Sequence, residues 1–418
     1  MTKWKSQQLS NLASITMGSS PKSTAYNDEG IGLPLIQGNA DIKNRLTKPR
    51  TYTSQITKEC APGSIIMTVR APVGAIAKST VKGCIGRGVC AISATKISQD
   101  YLYQYLISQE SKWKKLEQGS TFSAIGSKGV KQLSIAYPES VKEQAQIAEV
   151  LSTVDKKIDL IAQKIAETEK LKTGLMQKLF LEGVGVQDEN GEWQPHTEFQ
   201  DSPFGKIPQP WSTLELAEIA DIEDGDRGKS YPKQADFSDF GYCLFLSAKN
   251  VTKQGFSYRT TQFISQEKHN KLRKGQVLQN DIVLTTRGTV GNFGLFKNEE
   301  LFDAVRINSG MAIIRCIDSS MPNYLYQFMQ SPQFKAQISK VVFGSAQPQL
   351  TIKQIKKFKV LVPPSEEKKW IEETLKLAND KLTLLEQQKA ETQQLKKGLM
   401  QKLLTGEWRV PVEETEAA

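Results

Sequence analysis

Residues 166–179 read AETEKLKTGLMQKL, and residues 390–403, which follow at an offset of 224, read AETQQLKKGLMQKL. The copies differ only at Glu169/Gln393, Lys170/Gln394 and Thr173/Lys397. Near-copies this far apart mark a chain built from two halves, each ending in the same element. Residues at alternating steps of four and three lead through each copy. In the first half they are Ile147, Leu151, Val154, Ile158, Ile161, Ile165, Thr168, Lys172, Leu175 and Leu179. At the same offset stand Ile371, Leu375, Ala378, Leu382, Leu385, Lys389, Thr392, Lys396, Leu399 and Leu403. This is a heptad seam, apolar at most a and d positions. It predicts two helices of roughly 35 residues, each about 50 Å long. A helix with one apolar stripe has to cover it. The cover of equal length and register is the other copy, in antiparallel pairing within the chain. Two surface helices, each packed on its own domain, are the alternative. Thr168, Lys172 and Lys389 interrupt the seam and are candidates to pin its register.

The repeat extends beyond the helices. Trp4 precedes Leu9, Leu12, Ala13, Ile15 and Gly18, and Trp211 precedes Leu216, Ile219, Ala220, Ile222 and Gly225. The stretches that follow, 19–60 and 226–274, resemble each other little apart from an apolar run in each, at 33–36 and 243–246. Then come PGSIIMTVRAPVG from Pro62 and NDIVLTTRGTVG from Asn280, read as buried strands. Each delivers an arginine, Arg70 or Arg287, into a turn with Val73-Gly74 or Val290-Gly291. Second strands start at Cys84 and Ile307, and short helices at Tyr101 (YLYQYLIS) and Tyr324 (YLYQFMQS). Polar loops follow from Gly119 and Gly344, then last strands, LSIAYP and FKVLVP, before the long helices. Residues 182–209 carry Gly183, Gly185, Asn190-Gly191, Pro195, Pro203, Gly205 and Pro208, and read as a connector. The terminal VPVEETEAA is acidic and reads as disordered.

A net charge of +10 and a pI near 9.1 favour a polyanionic partner. The five cysteines include no C-x-x-C pair and read as reduced thiols of a cytosolic protein. No apolar signal core opens the chain, and no apolar run approaches a membrane span. His196 and His269 have no metal-ligand spacing and read as surface-exposed structural residues. The run Gly225-Asp226-Arg227-Gly228-Lys229-Ser230 has two residues between its glycines where a phosphate loop has four. Gly288, Gly291 and Gly294 do not fit a dinucleotide fingerprint, and no methyl-donor loop or N-P-P-[YF] tetrapeptide is present. These absences favour a binding protein that directs another protein's active site. A coiled-coil scaffold that binds only protein would explain the helices but not the basic, diverged domains. A stand-alone DNA-modifying enzyme would need the missing motifs.

With the two heptad helices, FGKIPQPW at 204–211, the strands PGSIIMTVR and NDIVLTTRG, and the helix entries AYPES and LVPPSEE in place, the chain resembles the specificity subunit of type I restriction-modification systems along almost its whole length. The resemblance implies an α+β fold of two pseudo-repeated target recognition domains separated by two long antiparallel coiled-coil helices. The expected divisions are a first recognition domain at 1–142, a spacer helix at 143–182, a linker at 183–209, a second recognition domain at 210–365, a second spacer helix at 366–405 and an acidic tail at 406–418. It also implies a non-catalytic subunit that reads a bipartite target in double-stranded DNA, one half per domain. The helices would set the gap between half-sites and dock two modification subunits. Restriction subunits would join them, and S-adenosylmethionine, ATP and Mg would belong to the partners and none to this chain. Basic charge and polar loops suit phosphate and base-edge contacts. The candidates are Lys22, Gln37, Asn39, Arg70, Arg87, Ser120 and Lys128 in the first half, and Arg227, Lys229, Lys249, Asn250, Arg287, Arg306 and Gln347 in the second. Arg70 and Arg287 stand at equivalent positions of two diverged domains, which suits a phosphate or the fold better than a base.

Overall fold

The computed structural model describes residues 3–118, 124–297, 301–342 and 348–411. It contains the two long helices, Val141–Leu179 and Ser365–Leu403, each of 39 residues. The chain divides into two compact units, 1–164 with 385–418 and 165–384. The divisions fall in the middle of the long helices. The units therefore do not follow the expected succession of domain and helix. Each holds one recognition domain, the start of one long helix and the end of the other.

In the first unit the order of the six-stranded sheet is Ala13–Met17, Val89–Ala94, Ile65–Thr68, Ile76–Lys78, Leu46–Thr47, Ile42–Lys43. A five-stranded sheet pairs Leu33–Ile36 in parallel with Gly83–Ile85. The ends of the domain zip together, Trp4–Gln8 running antiparallel to Ser134–Pro138. The second unit repeats the plan with smaller sheets, of four and three strands. Met311–Cys316 lies between Ala220–Asp224 and Ile282–Thr285, Cys243–Leu246 runs parallel to Ala304–Ile307, and Ser212–Glu215 pairs with Lys359–Val362. Tyr101 and Tyr324 are fully buried, and each donates its hydroxyl to the last strand, to Ala136 O and to Leu361 O, both at 2.8 Å. Strand pairing and tyrosine together fix where each long helix starts.

The seam explains the helix packing inside each unit. Along both helices every seam position is buried or half-buried, while Leu160, Leu171, Leu384 and Leu395 outside it are exposed. In the first unit Leu403 and Leu404 pack with Ile147, Ala148 and Leu151. In the second, Met176 and Leu179 pack with Ile371 and Leu375. The end of one helix thus meets the start of the other, which is antiparallel pairing. Each buried leucine adds roughly 1.5–3 kcal/mol. Lys396 reaches across the helix pair, 2.6 Å from Asp155. Its repeat mate Lys172, expected to pin the seam, instead donates to Gln330 in the recognition domain at 2.8 Å. Asn379 occupies the position that corresponds to Asp155, so Lys172 has no carboxylate there.

A second repeated device closes each unit. Glu143 and Glu367 are equivalent residues in the first turns of the long helices, and both are buried. Glu143 accepts from Arg409 Nε at 2.6 Å and Nη2 at 2.8 Å. Glu367 accepts from Val184 N at 2.7 Å, Gly185 N at 3.1 Å and Trp211 Nε1 at 2.7 Å, and lies 2.9 Å from His196 Nε2. Each carboxylate captures the segment that leaves the other helix. The stretch expected as a linker is consequently an ordered part of the second unit, with hairpins at Val186–Gln187/Trp193–Gln194 and Phe199–Ser202/Gly205–Pro208. The start of the expected tail is also packed, Val410 lying against the first unit's core. Neither histidine is surface-exposed: the side chain of His196 is 3% exposed, and His269 is buried. Among the described residues no helix is long and apolar enough to cross a membrane, and no His/Cys/Asp/Glu group could hold a metal ion.

Substituting Glu367→Ala removes the shared acceptor of four buried or half-buried groups. It is expected to lower stability by about 3–5 kcal/mol in denaturant titration, against about 0.5 kcal/mol or less for the exposed Glu373→Ala. Equal unfolding midpoints would show that the clasp is not structural.

Candidate nucleic-acid interface

The arginine-bearing strands end in the same hydrogen-bonded turn. Thr68 N donates to Ala75 O at 3.0 Å and Gly74 N to Thr68 O at 2.8 Å. Thr285 N donates to Asn292 O at 2.8 Å and Gly291 N to Thr285 O at 3.0 Å. The threonine hydroxyls lock the turns from inside. Thr68 Oγ1 donates to Pro72 O and accepts from Ala75 N at 2.9 Å, and Thr285 Oγ1 donates to Thr289 O and accepts from Asn292 N at 3.0 Å. Gly74 sits at φ +85° with Trp113 side-chain atoms 2.6–2.7 Å from where a Cβ would be, so another residue there is both strained and blocked.

Two further loops bracket each arginine. Val69 N donates to Gly88 O at 2.8 Å and Val69 O accepts from Ile125 N at 2.8 Å. Thr286 N donates to Gly310 O at 2.8 Å and Thr286 O accepts from Leu350 N at 3.0 Å. Arg70 then bridges to Ala124 and Arg287 to Gln349. In the first unit the turn at 86–88 touches Gln37 and holds Arg87, whose N donates to Ser20 Oγ at 3.1 Å. Gln37, Arg70 and Arg87 therefore share one edge, all exposed, and Lys128 stands exposed on the short helix Ser127–Lys131 that follows Ile125. In the second unit Arg227 Nη2 donates to Ser309 O at 3.2 Å, placing Arg227 and Arg287 on either side of the turn at 308–310. Lys22, Asn39, Lys229 and Lys249 are exposed. Ser120 and Gln347 lie outside the described residues.

Two candidates belong to the fold and not to a surface. Asn250 is buried, accepts from Ser247 N at 3.0 Å, and donates to Ser257 O at 3.1 Å and Thr260 O at 2.7 Å. Its counterpart is the buried Asp41, which accepts from Gln37 N at 2.8 Å. Both tie a short turn after a buried strand. Arg306 is buried and donates to His269 Nδ1 at 3.1 Å, Lys274 O at 2.8 Å and Leu272 O at 3.1 Å. Burial pulls its guanidinium below the usual range, and burial together with Arg306 lowers His269, which suits a neutral imidazole accepting at Nδ1. No site at a surface is left for either. Asp226, passed over in the sequence, fixes the Arg227 loop. Burial alone would raise its carboxyl, but backbone N–H groups of Gly228 at 2.6 Å and Arg273 at 2.7 Å hold it below the usual range. An acid two residues before a glycine is the Asx-turn signal that could have found it.

Arg306→Ala is expected to cost about 3 kcal/mol or more in chemical unfolding, whereas exposed Arg87→Ala stays within about 0.5 kcal/mol. If the two variants unfolded alike, Arg306 would not be the strut described.

The type I restriction modification DNA specificity domain matches this chain twice, over residues 1–170 and 208–394. The specificity subunit of the type I restriction enzyme MjaVIII from Methanocaldococcus jannaschii is 29% identical, across 75% of this chain and 72% of its own length. That of MjaIX, from the same organism, is 24% identical across 97% and 94%. Among solved structures, the type I S subunit from M. genitalium superimposes with a TM-score of 0.56 at 17% identity, covering 96% of both chains. A chain from a structural study of type I restriction-modification complex assembly and conformational transition gives 0.59 at 16%, covering 97% of this chain and 98% of that one. These likenesses at low identity establish the shared fold.

Proposed function

Because the chain belongs to the type I restriction modification DNA specificity family, we propose that its two recognition domains read the two halves of a bipartite sequence in double-stranded DNA and direct active sites that other subunits carry. The observation that carries this reading is the double match of one DNA-specificity domain in a single chain whose middles, 19–60 and 226–274, have diverged. One frame used twice with different loops suits two different half-sites. The exposed Arg, Lys and Gln side chains around Arg70 and Arg287 supply phosphate and base-edge donors.

The partners follow from the same repeat. Leu160 and Leu395 are 57% and 56% exposed in the first unit, and Leu171 and Leu384 are 61% and 48% exposed in the second. At an offset of 224 Leu160 answers to Leu384 and Leu171 to Leu395, so each unit presents the same two leucines beside its helix seam. Two equal apolar sites suit two copies of one partner. We assign them to two modification subunits, which carry S-adenosylmethionine and methyl transfer. Restriction subunits that use ATP and Mg complete the assembly. We assign the cofactors to those partners and place the assembly in the cytoplasm. A protein-only scaffold remains the second reading, and it would leave the DNA-specificity match unexplained.

Replacing residues 210–362 with the corresponding domain of a relative is expected to change one half of the methylated sequence and leave the other, read by methylome sequencing of a host that expresses the complex. A change in both halves would refute the assignment of one reader per domain. Leu160→Glu with Leu384→Glu is expected to abolish co-purification with modification subunits while the unfolding midpoint of the free chain stays put, since both side chains already face water. Undiminished co-purification would move the docking surface elsewhere.

A further inference from the structure

Arg70 and Arg287 are equivalent basic side chains of the interface, and their surroundings separate into a constant part and a variable part. The constant part is the backbone. The residue before each arginine donates to a glycine carbonyl, Gly88 or Gly310, and accepts from the loop on the other side, Ile125 or Leu350. The threonine-locked turn after it repeats the same hydrogen bonds in both units. Each arginine is thus held at a backbone position that costs no ordering on binding. Both side chains are exposed, and among the described residues neither guanidinium has a hydrogen-bond or ion-pair partner. Arg227, in contrast, is engaged with Ser309 O and faces Asp224 at 3.7 Å.

The variable part is what the arginine stands between. At the position of Arg87 the second unit has Ser309, and where Arg70 bridges to Ala124, Arg287 bridges to Gln349. If the units read different half-sites, a residue presented identically by both cannot carry the difference. The feature common to every half-site is the phosphodiester backbone. We propose that Arg70 and Arg287 each grip a DNA phosphate beside their half-site, without reading a base, and set the register from which the variable loops read. This rests on the DNA-reading function proposed above and names the ligand chemistry of one position in each domain.

The test uses the full chain in complex with its modification subunits and short duplexes: the target defined by methylome sequencing, duplexes with either half-site scrambled, and a random duplex. Affinity is measured from about 50 to 200 mM salt, the range over which phosphate contacts dominate. Arg70→Ala and Arg287→Ala should each weaken binding about 3- to 10-fold on the target and on both half-scrambled duplexes, and each should reduce the slope of log K against log salt by about one. Arg70→Lys and Arg287→Lys should keep most of the slope, because a point charge serves a phosphate but not the two-pronged contact to guanine. Unfolding midpoints equal to the parent's control for folding. An unchanged slope in the alanine variants overturns the proposal, as does a loss confined to duplexes that keep the variant domain's own half-site, which would make the arginine a base reader. A parent complex that does not prefer its target to the random duplex overturns the functional reading itself, and the proposal with it.

Discussion

A helix of 39 residues with a single apolar stripe cannot stand in water uncovered, and this chain carries two of them. Within each unit the cover comes from the far end of the other helix: Leu403 and Leu404 lie on Ile147 and Leu151, and Met176 and Leu179 lie on Ile371 and Leu375. Neither recognition domain is therefore complete on its own stretch of sequence. The first draws on the distant segment 385–418, and the second on the helix end that precedes it, within the continuous stretch 165–384. Chain connectivity, and not only packing, keeps the two ends of each helix pair together.

The acidic clasps make the same point in polar chemistry. Glu143 and Glu367 occupy one position of the repeat, at a helix N-terminus where a carboxylate is favoured. They hold different partners, a guanidinium in one unit and two backbone amides, an indole and an imidazole in the other. What is repeated is the need to fasten the segment leaving the opposite helix, and each half meets it with the side chains available. The recognition edges work the same way. Turns with the same hydrogen bonds present Arg70 and Arg287 while the loops around them differ.

The parts of this arrangement that are periodic could be read from the residues. The seam of Leu151, Val154, Ile158, Ile161, Ile165, Leu175 and Leu179, with Leu375, Leu382, Leu385, Leu399 and Leu403, is the buried or half-buried face of its helices because a step of 3.5 leaves few other faces to bury. The buried strands before Arg70 and Arg287 were legible as apolar runs. What could not be read was which polar residues turn inward. Asn250 and Arg306 carry the side chains of a DNA reader, yet backbone carbonyls distant in sequence claim them. His196 became buried because Glu367, 171 residues away, lies against it. The segment at 183–209 has the composition of a linker, but Glu367 pins its entrance and Trp211 its exit. Long-range hydrogen bonds leave no local periodicity, so composition reads such residues as surface.

The most direct test of the account lengthens both helices by one heptad, after Ile165 and after Lys389, so that the seam stays in phase and the pairing stays in register. Each helix grows by roughly 10 Å, the length of about three base pairs of DNA. The methylated sequence of the host is then determined. If paired helices set the gap between two half-sites, both half-sites stay as they were and the unspecified spacer between them lengthens. Full methylation with the original spacer would contradict the account and give the positioning of the readers to the modification subunits.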